Sequence, residues 1–311
     1  MFLFPSLALA AAPPPIINGE TTTDYPEVVA LYITDSTGRQ GGMCTGSLIS
    51  PTWVLTAAHC VSDTRDFEVD AVYVMFVNTT NDADNGNTKL ARDWIPNPNY
   101  SDSTGYNDIA LIELRTEMDG PFMPLTEIGL RQKDVDTDFR IVGFGATSDN
   151  DSSTNAKKRV VDVPLADYDT SLMHTEDNAD DQNACHGDSG GPVMRLYEDG
   201  TYSVAGIVDF GGPSCMRDGT YSARVDTYMD FIGDHVDDYT LWAAAEEEEE
   251  EEEPVDTGTP DDTGSAGEDT GGDEGGDPAS PLSPGICGTE SSAGLFAAAL
   301  AGLMVGRRRQ G

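Results

Sequence analysis

Over the first 240 residues, apolar and polar positions come in short runs, and most of the runs have the period of a strand. "EVVALYIT" (27–34), "DAVYVMFV" (70–77), "DIALIEL" (108–114), "FRIVGFGA" (139–146), "RVVDVPL" (159–165), "YSVAGIVDF" (202–210) and "TYSARV" (220–225) are rich in β-branched and aromatic residues, and Gly, Asp and Asn turns separate them. Strands this short and this regularly spaced predict an all-β sandwich or a pair of barrels. The period changes once. In "DTYMDFIGDHVDDYTLW", Tyr228, Phe231, Ile232, His235, Val236 and Tyr239 share one helical face, which predicts a single C-terminal helix. No internal repeat is visible.

The pattern stops near Thr240. "AAAEEEEEEEEPVDTGTPDDTGSAGEDTGGDEGGDPASPLSPG" is too polar and too rich in Gly and Pro to bury a core, so residues 243–286 are expected to form a disordered acidic linker. Repulsion among its carboxylates favours an extended spacer. Both ends look like addresses. "MFLFPSLALAAA" is a short apolar run ending in small residues, as in a secretory signal, although it lacks a basic leading region. "SSAGLFAAALAGLMVGRRRQG" is apolar all round and closed by Arg307, Arg308 and Arg309. It is short for an unaided membrane span, where about 20 residues are usual, but its arginines fit retention on the cytoplasmic side with the acidic body exported.

Charge narrows the partners. Of the formal net charge of −39, residues 246–311 carry −14 (17 acids against 3 arginines) and the first 245 residues carry −25. Such a body repels nucleic acid and anionic membrane, and both are excluded as its partners. A high-salt habitat would screen the self-repulsion. "NDADNGNT" (81–88) has calcium-ligand residue types but not the EF-hand spacing, and no metal or cofactor is assigned.

The candidate chemistry centres on "NACHGDSGGPVM" (183–194). Glycines and serines can make a simple tight turn. They can also free backbone N–H groups beside Ser189 to meet a developing negative charge, which would make Ser189 a nucleophile. That reading needs a base and an acid. His59 ends "CTGSLISPTWVLTAAHC", where Cys44 and Cys60 bracket a short loop that an exported chain could oxidise and so hold His59 in place. Asp108 heads the apolar run in "YNDIALIELR". A histidine base needs such a carboxylate to fix its tautomer and stabilise its imidazolium.

With these residues in view, the chain resembles the trypsin/chymotrypsin family of serine endopeptidases over residues 16–242. Six motifs stand in the family's order: "IINGE", "LTAAHC", "NDIALIEL", "VGFGAT", "CHGDSGGPV" and "GIVDFGG". The resemblance implies two packed six-stranded antiparallel β-barrels with a C-terminal helix, acting as a monomer on protein or peptide substrates. It implies attack by Ser189, His59 as general base and then acid, Asp108 as its orienting acid, and an oxyanion hole from the N–H groups of Gly187 and Ser189. It also implies a signal or pro segment (1–15) removed before Ile16, whose new ammonium would pair with Asp188. The four cysteines of this region allow three pairings, and the resemblance selects Cys44–Cys60 and Cys185–Cys215. A third bridge common in the family is missing from "SLMHTEDNADDQNAC", so a looser loop is expected there.

Three positions depart from the family pattern. The base of the specificity pocket is Asn183 where trypsin-type members have Asp, so no carboxylate awaits Arg or Lys. Gly211 and Gly219 are expected to leave the pocket walls open, with Phe210 packing against the substrate backbone, and uncharged residues are the expected preference. Pro15 precedes Ile16 instead of a basic residue, which implies a separate activating protease or a trimming peptidase. Asp209 stands where the family usually has a serine hydrogen-bonded to the acid of the triad. Its side chain is expected to turn away, to share an extra proton, or to weaken activity, because two carboxylates repel. In the last case the alternative is a catalytically silent binding or adhesion module.

Cys287 is left over from the two bridges. Its place ahead of the apolar run in "PGICGTESSAGLFAAALAGLMVGRRRQG" resembles the C-terminal sorting tails of myxobacterial surface proteins. There the tail is removed and the cysteine becomes the attachment point. Residues 287–311 are therefore expected to meet sorting machinery or a membrane, placing the enzyme at a bacterial cell surface or outside the cell.

Overall fold

The computed structural model describes residues 16, 19–63, 68–147, 156–177, 182–212, 214–215 and 219–242. The expected signal segment, the acidic linker, Cys287 and the tail lie outside them. Within the described residues, strands pair antiparallel throughout. A short β1 (Glu20–Thr21) is followed by β2 (Val28–Thr34), β3 (Gly41–Ser50), β4 (Trp53–Thr56), helix α1 (Ala58–Val61), β5 (Ala71–Met75), β6 (Thr88–Pro96) and β7 (Ala110–Leu114). Strands β2 to β7 close a six-stranded barrel in the order β2-β3-β4-β7-β6-β5. The second ring comprises β8 (Asp138–Gly143), β9 (Arg159–Tyr168), β10 (Leu172–Thr175), β11 (Pro192–Leu196), β12 (Tyr202–Gly211) and β13 (Thr220–Arg224). The β8–β9 pairing shuts it, and β1 adds to β9 outside the ring. Helix α2 (Met229–Gly233) follows. The all-β, two-barrel expectation is met.

Burial explains which strands the pattern revealed. Strand β9 alternates buried and half-buried residues along most of its length, because one face fills the barrel and the other meets solvent. Strand β2 is buried at nearly every position, as a strand covered on both sides must be. Strand β6, "TKLARDWIP", buries only Ala91 and follows no period, so hydropathy alone does not disclose it. The core has two parts. One runs from the first barrel into β12 and α2. The other fills the second barrel around Phe139, Ile141 and Val163 and includes Ile16.

Two expectations change. The expected loop around Met173 and His174 is in part strand β10, four buried residues paired with β9 and β13. The C-terminal helix is shorter than its apolar face suggested. Gly233 weakens it, and Asp234, Asp237 and Asp238 place negative charge at its carbonyl end. In the acidic 81–88 turn, side chains serve the turn itself. Asp84 accepts from the N–H groups of Gly86 and Asn87, and Asn87 Oδ1 accepts from the Asp84 N–H.

Candidate active site

Strand register brings the first pair together. Thr56 at the end of β4 lies opposite Ala110 at the start of β7. His59, three residues beyond Thr56, and Asp108, two residues before Ala110, therefore emerge at the same end of the barrel. The His59 Nδ1–H donates to Asp108 Oδ2 at 2.5 Å, and the His59 backbone N–H donates to Asp108 Oδ1 at 2.7 Å. Asp108 is fully buried while the His59 side chain remains 29% exposed, so the imidazole can reach a substrate. Burial pushes the Asp108 acid up. The His59 hydrogen bond and imidazole charge, with a hydrogen bond from Asp209, outweigh burial and hold it below its ordinary value. Asn107 (φ 60°) makes the turn into Asp108, a conformation asparagine tolerates well. The disulfide Cys44–Cys60 ties α1 to β3 beside His59.

Ser189 sits in a loop that β3 grips from the other barrel. The Thr45 N–H donates to Ser189 O at 2.8 Å, Thr45 Oγ1–H donates to Gly187 O at 2.8 Å, and the Phe144 N–H donates to Thr45 Oγ1 at 3.1 Å. Gly187 has φ +99°, a region that L side chains rarely adopt. A Cβ on Gly190 would lie 2.1 Å from Thr56 Oγ1, so the chain beyond Ser189 passes against β4 only as glycine. Asp188 is wholly buried. Its Oδ1 accepts from the Gly145 N–H at 2.7 Å and its Oδ2 from the Cys185 N–H at 2.9 Å. Burial raises it to about 6, partly offset by these bonds and by the Arg159 charge. Cys185–Cys215 is the second disulfide.

Of the expected pocket residues, Phe210 and Gly211 end β12 and Gly219 directly precedes its partner β13, while Asn183 lies in the chain before Ser189. Asn183 is fully buried, and neither its Oδ1 nor its Nδ2 has a hydrogen-bond partner among the described residues. Phe210, 40% exposed, stacks on Tyr221 at 4.9 Å between centroids, and Tyr221 stacks on His174 at 4.3 Å. Gly219 (φ +66°) packs tightly on one side, because a Cβ there would lie 2.4 Å from His174 Nε2 and 2.9 Å from Thr175 O. Gly211 is exposed, with its Cβ position 3.0 Å from Gly219 O.

Asp209 does not turn away. The β12–β13 register shifts between Val208 and Phe210, which puts Asp209 at a bulge. Phe210 then points outward while Asp209 lies buried beside Asp108, its Oδ1 3.9 Å from His59 Nδ1. Burial, then the hydrogen bond to Asp108 and its charge, raise Asp209 far above an ordinary carboxylic acid. A tetrahedral zinc ion does not fit with both His59 Nδ1 and Asp108 Oδ2 as its ligands. Two ligands of one tetrahedral zinc stand roughly 3.3 Å apart, whereas His59 Nδ1 and Asp108 Oδ2 are 2.5 Å apart. That gap holds a proton.

Thr45, Gly145, His174 and Tyr221 were not singled out from the sequence. Thr45 follows Cys44 directly, and its partner Gly187 is 142 residues away. Only the pairing of both cysteine motifs across one cleft could have pointed to it.

Two closed barrels with a histidine–aspartate pair beside a glycine-rich serine loop define the class of serine endopeptidases. The trypsin family model matches residues 16–232, and the chain belongs to that family. Brachyurin of Leptuca pugilator is 34% identical over 221 residues, covering 67% of this chain and 92% of that protein. CLIP domain-containing serine protease B4 of Anopheles gambiae is 28% identical over 255 residues, 71% of this chain and 70% of its own length. Melanization protease 1 of Drosophila melanogaster is 28% identical over 262 residues, 71% of this chain and 65% of its own.

Proposed function

We propose that this serine endopeptidase works through Ser189, His59 and Asp108, is switched on by cleavage before Ile16, and acts outside the cytoplasm on a surface tether. The observation that carries the reading is the buried Asp108 bonded twice to His59 next to the Gly187–Ser189 loop. His59 takes the Ser189 hydroxyl proton as Oγ attacks the scissile carbonyl, and returns a proton to the leaving amine. Asp108 holds the tautomer and stabilises the imidazolium, while Gly187 and Ser189 N–H groups meet the oxyanion. Each such donor is typically worth roughly 3–4 kcal/mol in the transition state.

Activation follows from Asp188. In the uncut chain its carboxyl is buried and raised to about 6. A new Ile16 ammonium brought beside it would supply the missing positive charge and fix the loop that carries both hole donors. Ile16 is itself buried in the second barrel, which supports that destination. Pro15, in place of a basic residue, supports a cut made by another protease or a trimming peptidase.

The orphaned amide of Asn183 supports a pocket for uncharged side chains, because no carboxylate there neutralises a cation. Two disulfides suit an oxidising compartment. Residues 243–286 serve as the acidic spacer and residues 287–311, with Cys287, as the attachment segment. Ser189→Ala is expected to abolish hydrolysis of a peptide library that the wild type cleaves mainly after uncharged residues. Hydrolysis by Ser189→Ala at the wild-type rate would remove Ser189 as the nucleophile, and a wild type cut at Ile16 that hydrolyses nothing would leave the binding-module reading in its place. Cleavage mainly after Arg or Lys would remove the pocket assignment.

A further inference from the structure

We propose that Asp209 is a positioning residue held as a carboxylic acid, whose O–H donates to the Asp108 carboxylate and keeps it aligned on His59. The inference rests on the reading of His59, Asp108 and Ser189 given above. It starts from the bulge between Val208 and Phe210, which turns Asp209 inward out of the β12–β13 ladder. Bulges beside active sites re-aim side chains in this way. The bulge is anchored to the serine loop, because the Gly190 N–H donates to Val208 O at 2.7 Å and the Val208 N–H donates to Gly191 O at 2.9 Å. The position of Asp209 is thereby fixed relative to Ser189 as well as to Asp108.

The surroundings decide its protonation. Asp209 is buried, and its Oδ2 meets no N–H or O–H donor among the described residues. The titratable groups facing it are Asp108 from the loop before β7, His59 from α1, Tyr100 from the loop after β6, and Tyr228 at the start of α2. Both tyrosines are raised by burial first and by the Asp108 and Asp209 charges among the further causes, so neither supplies a counter-charge. His59 is the one basic group in that set, and its Nδ1–H is already committed to Asp108 at 2.5 Å, with Asp209 Oδ1 at 3.9 Å. An ionised Asp209 would be a second buried anion with no donor to its Oδ2 among the described residues. A protonated Asp209 turns the same contact into a hydrogen bond from acid to carboxylate. The strong upward shift of its acidity agrees.

The cluster therefore carries one negative charge at neutral pH. At alkaline pH the Asp209 proton passes to solvent, the bond to Asp108 is lost, and two carboxylates face each other beside His59. The pH profile of kcat gains an alkaline ionisation belonging to the carboxylate pair rather than to His59.

Infrared difference spectra of full-length chains cut at Ile16, wild type against Asp209→Asn at neutral pH, test this directly. The expected result is the carbonyl band of a protonated carboxylic acid in the wild type, shifted in D2O, absent from the variant, and lost as pH rises. Carboxylate bands alone would overturn the proposal. The band is read without turnover, so it decides the protonation of Asp209 even if Ser189→Ala were to keep hydrolysing. In kinetics, Asp209→Asn keeps a donor to Asp108 that cannot ionise. It is expected to stay within about tenfold of wild-type kcat and to lose the alkaline ionisation, while Asp209→Ala loses roughly 10- to 100-fold in kcat with KM little changed. An Asn variant as impaired as the Ala variant, or one that retains the alkaline step, would contradict it. Should Asp209→Ala fail to fold, the wild-type band titrated against pH and the Asn profile still decide.

Discussion

At the residue scale, the site is an arrangement of buried acids with different fates. Asp108 is kept ionised by two hydrogen bonds from His59, Asp209 is kept neutral by Asp108, and Asp188 waits for a cation. Asp188 gives the clearest stability signature. Its acid is raised above the unfolded value of about 4 to about 6 in the uncut chain. The stability it contributes is therefore whole below pH 4 and is lost as pH rises through 6. From this group the uncut chain should lose roughly 2 kcal/mol of unfolding free energy between those limits. In the cut chain, paired with the Ile16 ammonium, the same carboxyl should titrate below its ordinary value and the loss should vanish. Denaturant unfolding of both forms across pH 4 to 7 measures the difference, and parallel curves would speak against the ion pair.

At the element scale, what places the serine loop is a strand of the other barrel. Thr45 in β3 binds the carbonyls of Gly187 and Ser189 and takes the Phe144 N–H on the same hydroxyl. Thr45→Val keeps the shape and removes the hydroxyl. Leaving Gly187 O and the Phe144 N–H unmet should cost about 1–3 kcal/mol of stability and about tenfold in kcat. Thermal unfolding and steady-state kinetics report the two effects separately, and an unchanged kcat would show that the clamp does not hold the oxyanion site. This device was invisible in sequence, since a threonine in "CTGS" differs in no local way from a strand threonine. The motifs around His59, Asp108 and Ser189 were legible because backbone demands crowd glycine, cysteine and small residues into short windows. Strands with one wet face, such as β9, were legible from period. Strand β6 was not, because its residues are mostly half-buried or exposed, and β10 was not, because four buried residues including His174 and Thr175 carry no alternation. The His174–Tyr221–Phe210 stack is likewise a product of pairing between β10, β13 and β12, which no single segment announces.

At the scale of the whole molecule, a trypsin-family protease body carries an excess of negative charge, −25 over its first 245 residues, ahead of a still more acidic segment. The account makes it a precursor whose buried Asp188 and Ile16 are joined into one switch by a single cut. Its central claim is that this cut makes Ser189 reactive. The measurement that tests it most directly is to label the full-length protein and its form cut before Ile16 with a fluorophosphonate, and to read both the N-terminus and the modified residue by mass spectrometry. The account predicts label on Ser189 in chains beginning at Ile16 and none in chains that retain Pro15. Chains beginning at Ile16 that stay unlabelled would contradict it.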